Sequence, residues 1–191
     1  MRFYFLLITL FTGLLLVSTA GYSSEKLVFA EGSNSGLQPD SLPALTYTIV
    51  SGAKAVRLST VLSSDNQPVV LNQTTLNDIT DAAELFPGKA REDGTFQVID
   101  FTLEELQRLT LTPGNALSDS LSIDSPLFPA TRIPALKDAL ALSTILEKKT
   151  GQPLDIMVEI KQIWYHVNEG RDIGSIVAEL ISQPAFKATG G

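Results

Sequence analysis

The chain has 191 residues, with 13 Gly, 10 Pro and no Cys; 44% are hydrophobic and 18% charged. That composition is globular, so a wholly disordered chain, a collagen-like repeat and a disulfide-stapled miniature are excluded. A net charge of −7 with no basic stripe excludes phosphate-backbone binding to nucleic acid, and the lack of cysteine excludes zinc-finger, iron–sulfur and thiol chemistry.

Arg2, the apolar run Phe3 to Val17 and then Ser18-Thr19-Ala20 have the form of a secretory signal peptide. The run is short for a bilayer-spanning helix, which needs about 20 residues. Cleavage after Ala20 is therefore expected, leaving residues 21–191 as one domain, secreted or periplasmic, with no membrane span. An uncleaved N-terminal anchor is the alternative.

Lys26 to Ala30 reads as a buried strand running into a Gly/Ser/Asn loop. Asp40 or Ser41 caps a helix that ends near Gly52. Ala55 to Leu62 and Pro68 to Leu71 are strands joined by a turn at Asp65-Asn66. Leu76 to Phe86 is weakly helical and stops at Pro87-Gly88. Phe96 to Ile99 is a short strand. Thr102-Leu103-Glu104-Glu105 is a capping box opening a helix to Leu109. Residues 110–131 form an irregular insertion. A helix begins near Pro134, runs to about Lys149 and stops at Gly151. Asp155 to Lys161 is a strand, Asp172 caps a last helix from Ile173 to Ser182, and 187–191 is a frayed tail. Strands alternating with helices imply βαβ units and a parallel sheet. In a (β/α)8 barrel the chemistry sits at the C-terminal strand ends, and a complete barrel takes about 250 residues.

Five short segments occur in order: Ala30-Glu31-Gly32, Pro39-Asp40-Ser41-Leu42-Pro43, Arg57-Leu58-Ser59, Val69-Val70-Leu71-Asn72-Gln73 and Glu159-Ile160-Lys161. In that order they resemble the H-R-G, P-E-N-T, E-x-D, V-V-x-H-D and E-I-K motifs of the glycerophosphodiester phosphodiesterase family, in its periplasmic, secreted branch. The stretches Phe86 to Glu105 and Trp164 to Ile173 are similar to that branch as well. The resemblance covers about residues 26–185. It implies an α/β fold: a partial (β/α)8 TIM barrel, the N-terminal half, with the family's insertion after the second strand.

The family hydrolyses glycerophosphodiesters to glycerol 3-phosphate and an alcohol, with two histidines for proton transfer and a divalent metal, Ca or Mg, held by carboxylates. The matching positions here lack that chemistry. Ala30 and Asn72 stand where the histidines would be, and neither side chain can move a proton. Arg57 and Ser59 replace the two metal carboxylates, Gln73 the aspartate and Glu31 the arginine. Asp40 keeps the acidic character of its turn. Glu159, the retained metal position, and Lys161 stand as the family has them. No cofactor is expected, because one carboxylate does not meet the oxygen demand of Ca²⁺ or Mg²⁺.

Arg57 has two readings: a pair with Glu31 or Glu159, or, with Lys161, a weak anion site for small phosphate esters. His166, the only histidine, is either a lone acid–base group or a loop residue packed beside Trp164 and Tyr165. Three functions follow: a catalytically inactive relative, a residual phosphoric diester hydrolase, or a gene fragment. Half a barrel exposes strand edges, so self-association or a partner chain would complete the sheet.

Overall fold

The computed structural model of the chain describes residues 37–112 and 131–186. The expected leader, the Lys26 to Ala30 strand, Glu31, residues 113–130 of the insertion and the tail lie outside them.

Helix α1 (Leu42–Val50) starts where Ser41 Oγ accepts the amide of Ala44 at 3.2 Å, with proline in the first turn. Strand β1 (Ala55–Leu62) is buried along almost its whole length, as a strand covered on both faces must be. Ser63 then builds a tight turn: its hydroxyl donates to Asp65 Oδ1 at 2.6 Å and accepts the Gln67 amide at 2.8 Å. The turn returns the chain as β2 (Pro68–Val70), antiparallel to β1, with Val61 opposite Val69. This corrects the expectation of a wholly parallel sheet. A parallel crossover needs about a dozen residues, and the link here is far shorter.

Helix α4 (Leu136–Thr150) supplies the long crossover to β3 (Asp155–Ile160). It ends on Gly151, whose φ of +68° is left-handed and whose amide donates to the Glu147 carbonyl at 2.9 Å. β3 runs parallel to β1, from Ala55 opposite Asp155 to Thr60 opposite Ile160, giving the sheet order β2-β1-β3. Lys161 lies one residue past the strand, although its amide still reaches the Thr60 carbonyl at 3.0 Å. Gln162, at φ +46°, turns the chain into α5 (Ile163–Asn168). Asp172 caps α6 (Ile173–Ile181), accepting the Ser175 amide at 3.0 Å. Leu45, Ile49, Val56, Leu58, Leu140 and Val177 form the core between the sheet and α1, α4 and α6.

Between β2 and α4 lie α2 (Ala82–Leu85), two 3-10 turns (Pro87–Lys89 and Val98–Asp100) and α3 (Leu103–Leu106). The expected helix over 76–86 shrinks to α2, and the stretch before it is tied across to the 94–96 loop, the Leu76 amide donating to the Phe96 carbonyl at 2.9 Å. The expected strand over 96–99 is a single bridge, Gln97 with Thr75, followed by the second 3-10 turn. The capping box forms: Thr102 Oγ1 accepts the Glu105 amide at 3.2 Å, and Glu105 Oε2 accepts the Thr102 amide at 2.8 Å. Its helix ends at Leu106 rather than Leu109, and Leu109 turns inward, fully buried. This segment builds a second core around Phe101, with Phe86 edge-on at 5.6 Å, and rests it on Val61 and Val69 of the hairpin.

Candidate functional site

Side chains alternate across a strand, so Arg57 and Ser59 of β1 share a face with Met157 and Glu159 of β3. The parallel register sets Ser59 directly beside Glu159 and Arg57 beside Met157. Glu159 Oε1 lies 2.9 Å from Lys161 Nζ, and its Oε2 lies 3.5 Å from Arg57 Nη1. The hydrogen bond from Lys161 holds the Glu159 carboxyl below its usual range, helped by the charges of Lys161 and Arg57 and opposed by burial. The carboxylate is thus shared by two cations.

Asp40 approaches the same mouth from the turn before α1, in a left-handed conformation (φ +59°) that Asp tolerates better than most residues. Its Oδ2 accepts the Asn72 amide at 3.2 Å. Burial raises the pKa of Asp40, against the pull of that amide and of Lys161. Asp40, Arg57, Ser59, Asn72 and Lys161 line one cavity of about 230 Å³, with apolar groups such as Leu45 on its far wall. Glu159 stands at its edge through the two lining cations. Gln73 turns aside, donating to the Thr75 carbonyl at 2.8 Å. Thr74 ties the loop after β2 to the end of β3, donating to Gln162 Oε1 at 3.2 Å.

The structure therefore gathers Asp40, Arg57, Ser59, Asn72, Glu159 and Lys161 at one strand-end mouth. Ala30 and Glu31 lie outside the described residues. His166 is not part of the cavity. It sits in α5 rather than a loop, is fully buried, and stacks edge-on to Tyr165 at 5.5 Å. Neither of its ring nitrogens has a hydrogen-bond partner, and burial pushes its pKa down.

One cluster was not singled out from the sequence. Arg91 makes a two-pronged pair with Asp100, at 2.7 and 2.9 Å, and reaches Glu169 at 3.0 Å. Beside it the Tyr165 hydroxyl is pushed up to about 12, chiefly by burial. These groups clamp the inserted segment to α5. Only their place within the family-like stretches could have marked them.

A divalent cation does not suit this donor set. Ca²⁺ and Mg²⁺ want six or more oxygens, several of them charged. Here the guanidinium of Arg57 lies beside Glu159, Ser59 offers a single hydroxyl, and Glu159 already serves two cations. Among the described residues no group of three or more histidines or carboxylates is placed to hold a metal ion.

Residues 32–189 match the glycerophosphoryl diester phosphodiesterase family. The chain belongs to that family. A glycerophosphodiester phosphodiesterase from Treponema pallidum is 32% identical over 95% of this chain and 53% of its own length. One from Haemophilus influenzae is 29% identical over 85% of this chain and 47% of its own. The chain thus spans about half the length of these relatives. The solved structure described as a glycerophosphoryl diester phosphodiesterase from Silicibacter pomeroyi superposes with a TM-score of 0.57 at 19% identity, over 77% of this chain and 50% of that one. A phosphodiesterase from Oleispira antarctica, solved with the product sn-glycerol-3-phosphate, gives 0.54 at 20% identity, over 80% and 50%. The fold of this family member is accordingly a partial (β/α)8 barrel, with the cavity at the C-terminal ends of its strands. No helix among the described residues is long and apolar enough to cross a membrane.

Proposed function

We propose that this chain is a catalytically inactive member of the glycerophosphoryl diester phosphodiesterase family, exported by the leader at residues 1–20, whose strand-end cavity binds small phosphate esters weakly. The observation that carries this reading is the engagement of Glu159 by Arg57 and Lys161, at 3.5 and 2.9 Å. Phosphodiester cleavage needs charge stabilisation at the phosphate together with a base and an acid at attack and departure. Asn72 cannot move a proton, and the one retained carboxylate is neutralised by its neighbours. Shape and two cations remain, and both suit a phosphate ester.

A phosphate must compete with Glu159 for those cations, so its binding is weak. Glu159→Gln removes the competitor, and the affinity for glycerol 3-phosphate rises, read by titration calorimetry. Lys161→Ala removes the closer cation, and the heat disappears.

Activity is tested on the whole chain with glycerophosphocholine and added Mg²⁺ or Ca²⁺. Glycerol 3-phosphate release equal to a protein-free control is expected. Release above that control, abolished by Glu159→Ala, overturns the inactive reading and establishes a residual hydrolase. Aggregated, protease-sensitive product would instead mark a fragment without function.

A further inference from the structure

We infer that ligand binding in the strand-end cavity is coupled to protonation of Asp40, so that the cavity loads an anionic ester as its surroundings acidify and releases it as they return to neutral. The inference rests on the reading of that cavity as a phosphate-ester site and adds the regulation of that site.

Four charged groups meet at the mouth, Arg57 and Lys161 against Asp40 and Glu159. With all four ionised their charges cancel, and an incoming anion gains nothing from the net charge of the mouth. One carboxylate must give up its charge for the two cations to prevail.

The geometry decides which. Glu159 is engaged directly by both cations, with Lys161 Nζ at 2.9 Å and Arg57 Nη1 at 3.5 Å. Protonating Glu159 would forfeit both pairs. Asp40 is held differently. Its Oδ2 accepts one neutral donor, the Asn72 amide at 3.2 Å. It forms no ion pair with another described residue. Burial raises its pKa, against the pull of that amide and of the Lys161 charge. Asp40 is therefore the group that yields.

The polar groups that line the cavity with Asp40 include Ser41 before α1, Arg57 and Ser59 of β1, Asn72 after β2 and Lys161 after β3. Arg57 and Lys161 are the charged ones, and Glu159 joins them through its two pairs. His166 is the only histidine of the chain and lies in α5, outside the cavity. Among the described residues lining the cavity, Asp40 alone is a carboxylate.

Protonation changes what this side chain does. The carboxylate repels an anion beside it. The neutral acid keeps Oδ2 on the Asn72 amide and gains an O–H at Oδ1 that donates to a phosphate oxygen. A bound anion in turn favours the neutral form of a nearby carboxyl. Ligand and proton therefore enter together, and each raises the affinity for the other by the same factor.

The test is titration calorimetry of glycerophosphocholine into the whole chain, without added metal, from about pH 8 to about pH 5. Each pH is run in two buffers of different ionisation heat, which counts the protons taken up, and circular dichroism verifies folding. A phosphate monoester takes up a second proton itself near pH 6, whereas the diester keeps a single charge throughout. Affinity is expected to rise by about tenfold across the series, with uptake of as much as one proton per ligand. Asp40→Asn keeps an acceptor for the Asn72 amide, and Asn tolerates the left-handed φ of +59°. That variant binds at the upper end of the series as tightly as the unchanged chain does at the lower end, with no proton uptake. Binding by the unchanged chain that is flat with pH, or proton uptake that survives in Asp40→Asn, overturns the coupling and leaves the cavity reading standing. No binding by either protein at any pH overturns both.

Discussion

The two cores of this chain are finished to different degrees. Around Phe101 the segment closes against the hairpin: Leu76, Val98, Phe101, Leu106, Leu109 and Ile133 are all fully buried or nearly so. Around β3 the sheet is open, and Ile156, Val158 and Ile160 are only half-covered by α4 and α6. Apolar burial supplies most of the stability of a folded chain. The core around Phe101 is therefore fully buried against the hairpin, while the apolar residues of β3 are only partly covered. The same division runs through the polar groups: the clamp of Arg91 on Asp100 and Glu169 is closed, whereas the strand-end mouth sets Arg57, Asn72 and Lys161 around an open cavity.

Paired truncations give the sharpest contrast. Phe101→Ala removes a fully buried ring and costs about 3–5 kcal/mol in urea unfolding. Val158→Ala removes two half-covered methyl groups and costs about 1 kcal/mol in the monomer. Equal costs would mean that the β3 side is as well packed as the insertion.

Acid probes the buried histidine of α5. The folded chain keeps His166 neutral, because burial lowers its pKa despite the nearby charge of Glu169. Unfolding restores a value near 6.5. The unfolded state thus binds the extra proton first as pH falls. Stability is full above about pH 6.5 and declines from there down to the depressed folded value. His166→Phe abolishes that part of the acid dependence in melts between pH 5 and 7.5.

Smaller effects come from the clamp and the cap. Arg91→Ala breaks the pairs with Asp100 and Glu169. Because these side chains are about a third exposed, the loss is discounted to about 1 kcal/mol and shrinks further in high salt. Thr102→Ala removes half of the capping box at α3 and costs about 1 kcal/mol or less in the same unfolding assay.

Much of this was legible in the residues. The β1–turn–β2 run, the Thr102 box and the stop at Gly151 are each dictated by local chemistry, and each appears where the sequence placed it. Arg57 and Ser59 were readable as candidates too, and the register of β1 on β3 explains why they lie beside Glu159. Other features depend on distant partners. The helix over 76–86 fails because the Asn77 side chain bridges the Phe96 amide, at 2.9 Å, and the Gly94 carbonyl, at 3.0 Å. Residue periodicity cannot register such a cross-loop tie. The short helix that buries His166 begins at a left-handed Gln162, a conformation that no residue in that run signals. The antiparallel sense of β2 was implicit in the Asp65-Asn66 turn but masked by the alternation of strands and helices.

We propose that the Glu159 carboxylate belongs to Arg57 and Lys161 rather than to a metal. Titration calorimetry of Ca²⁺ into the whole folded chain tests it directly. No saturable heat is expected at millimolar Ca²⁺. One-to-one binding that is lost in Glu159→Gln would contradict it.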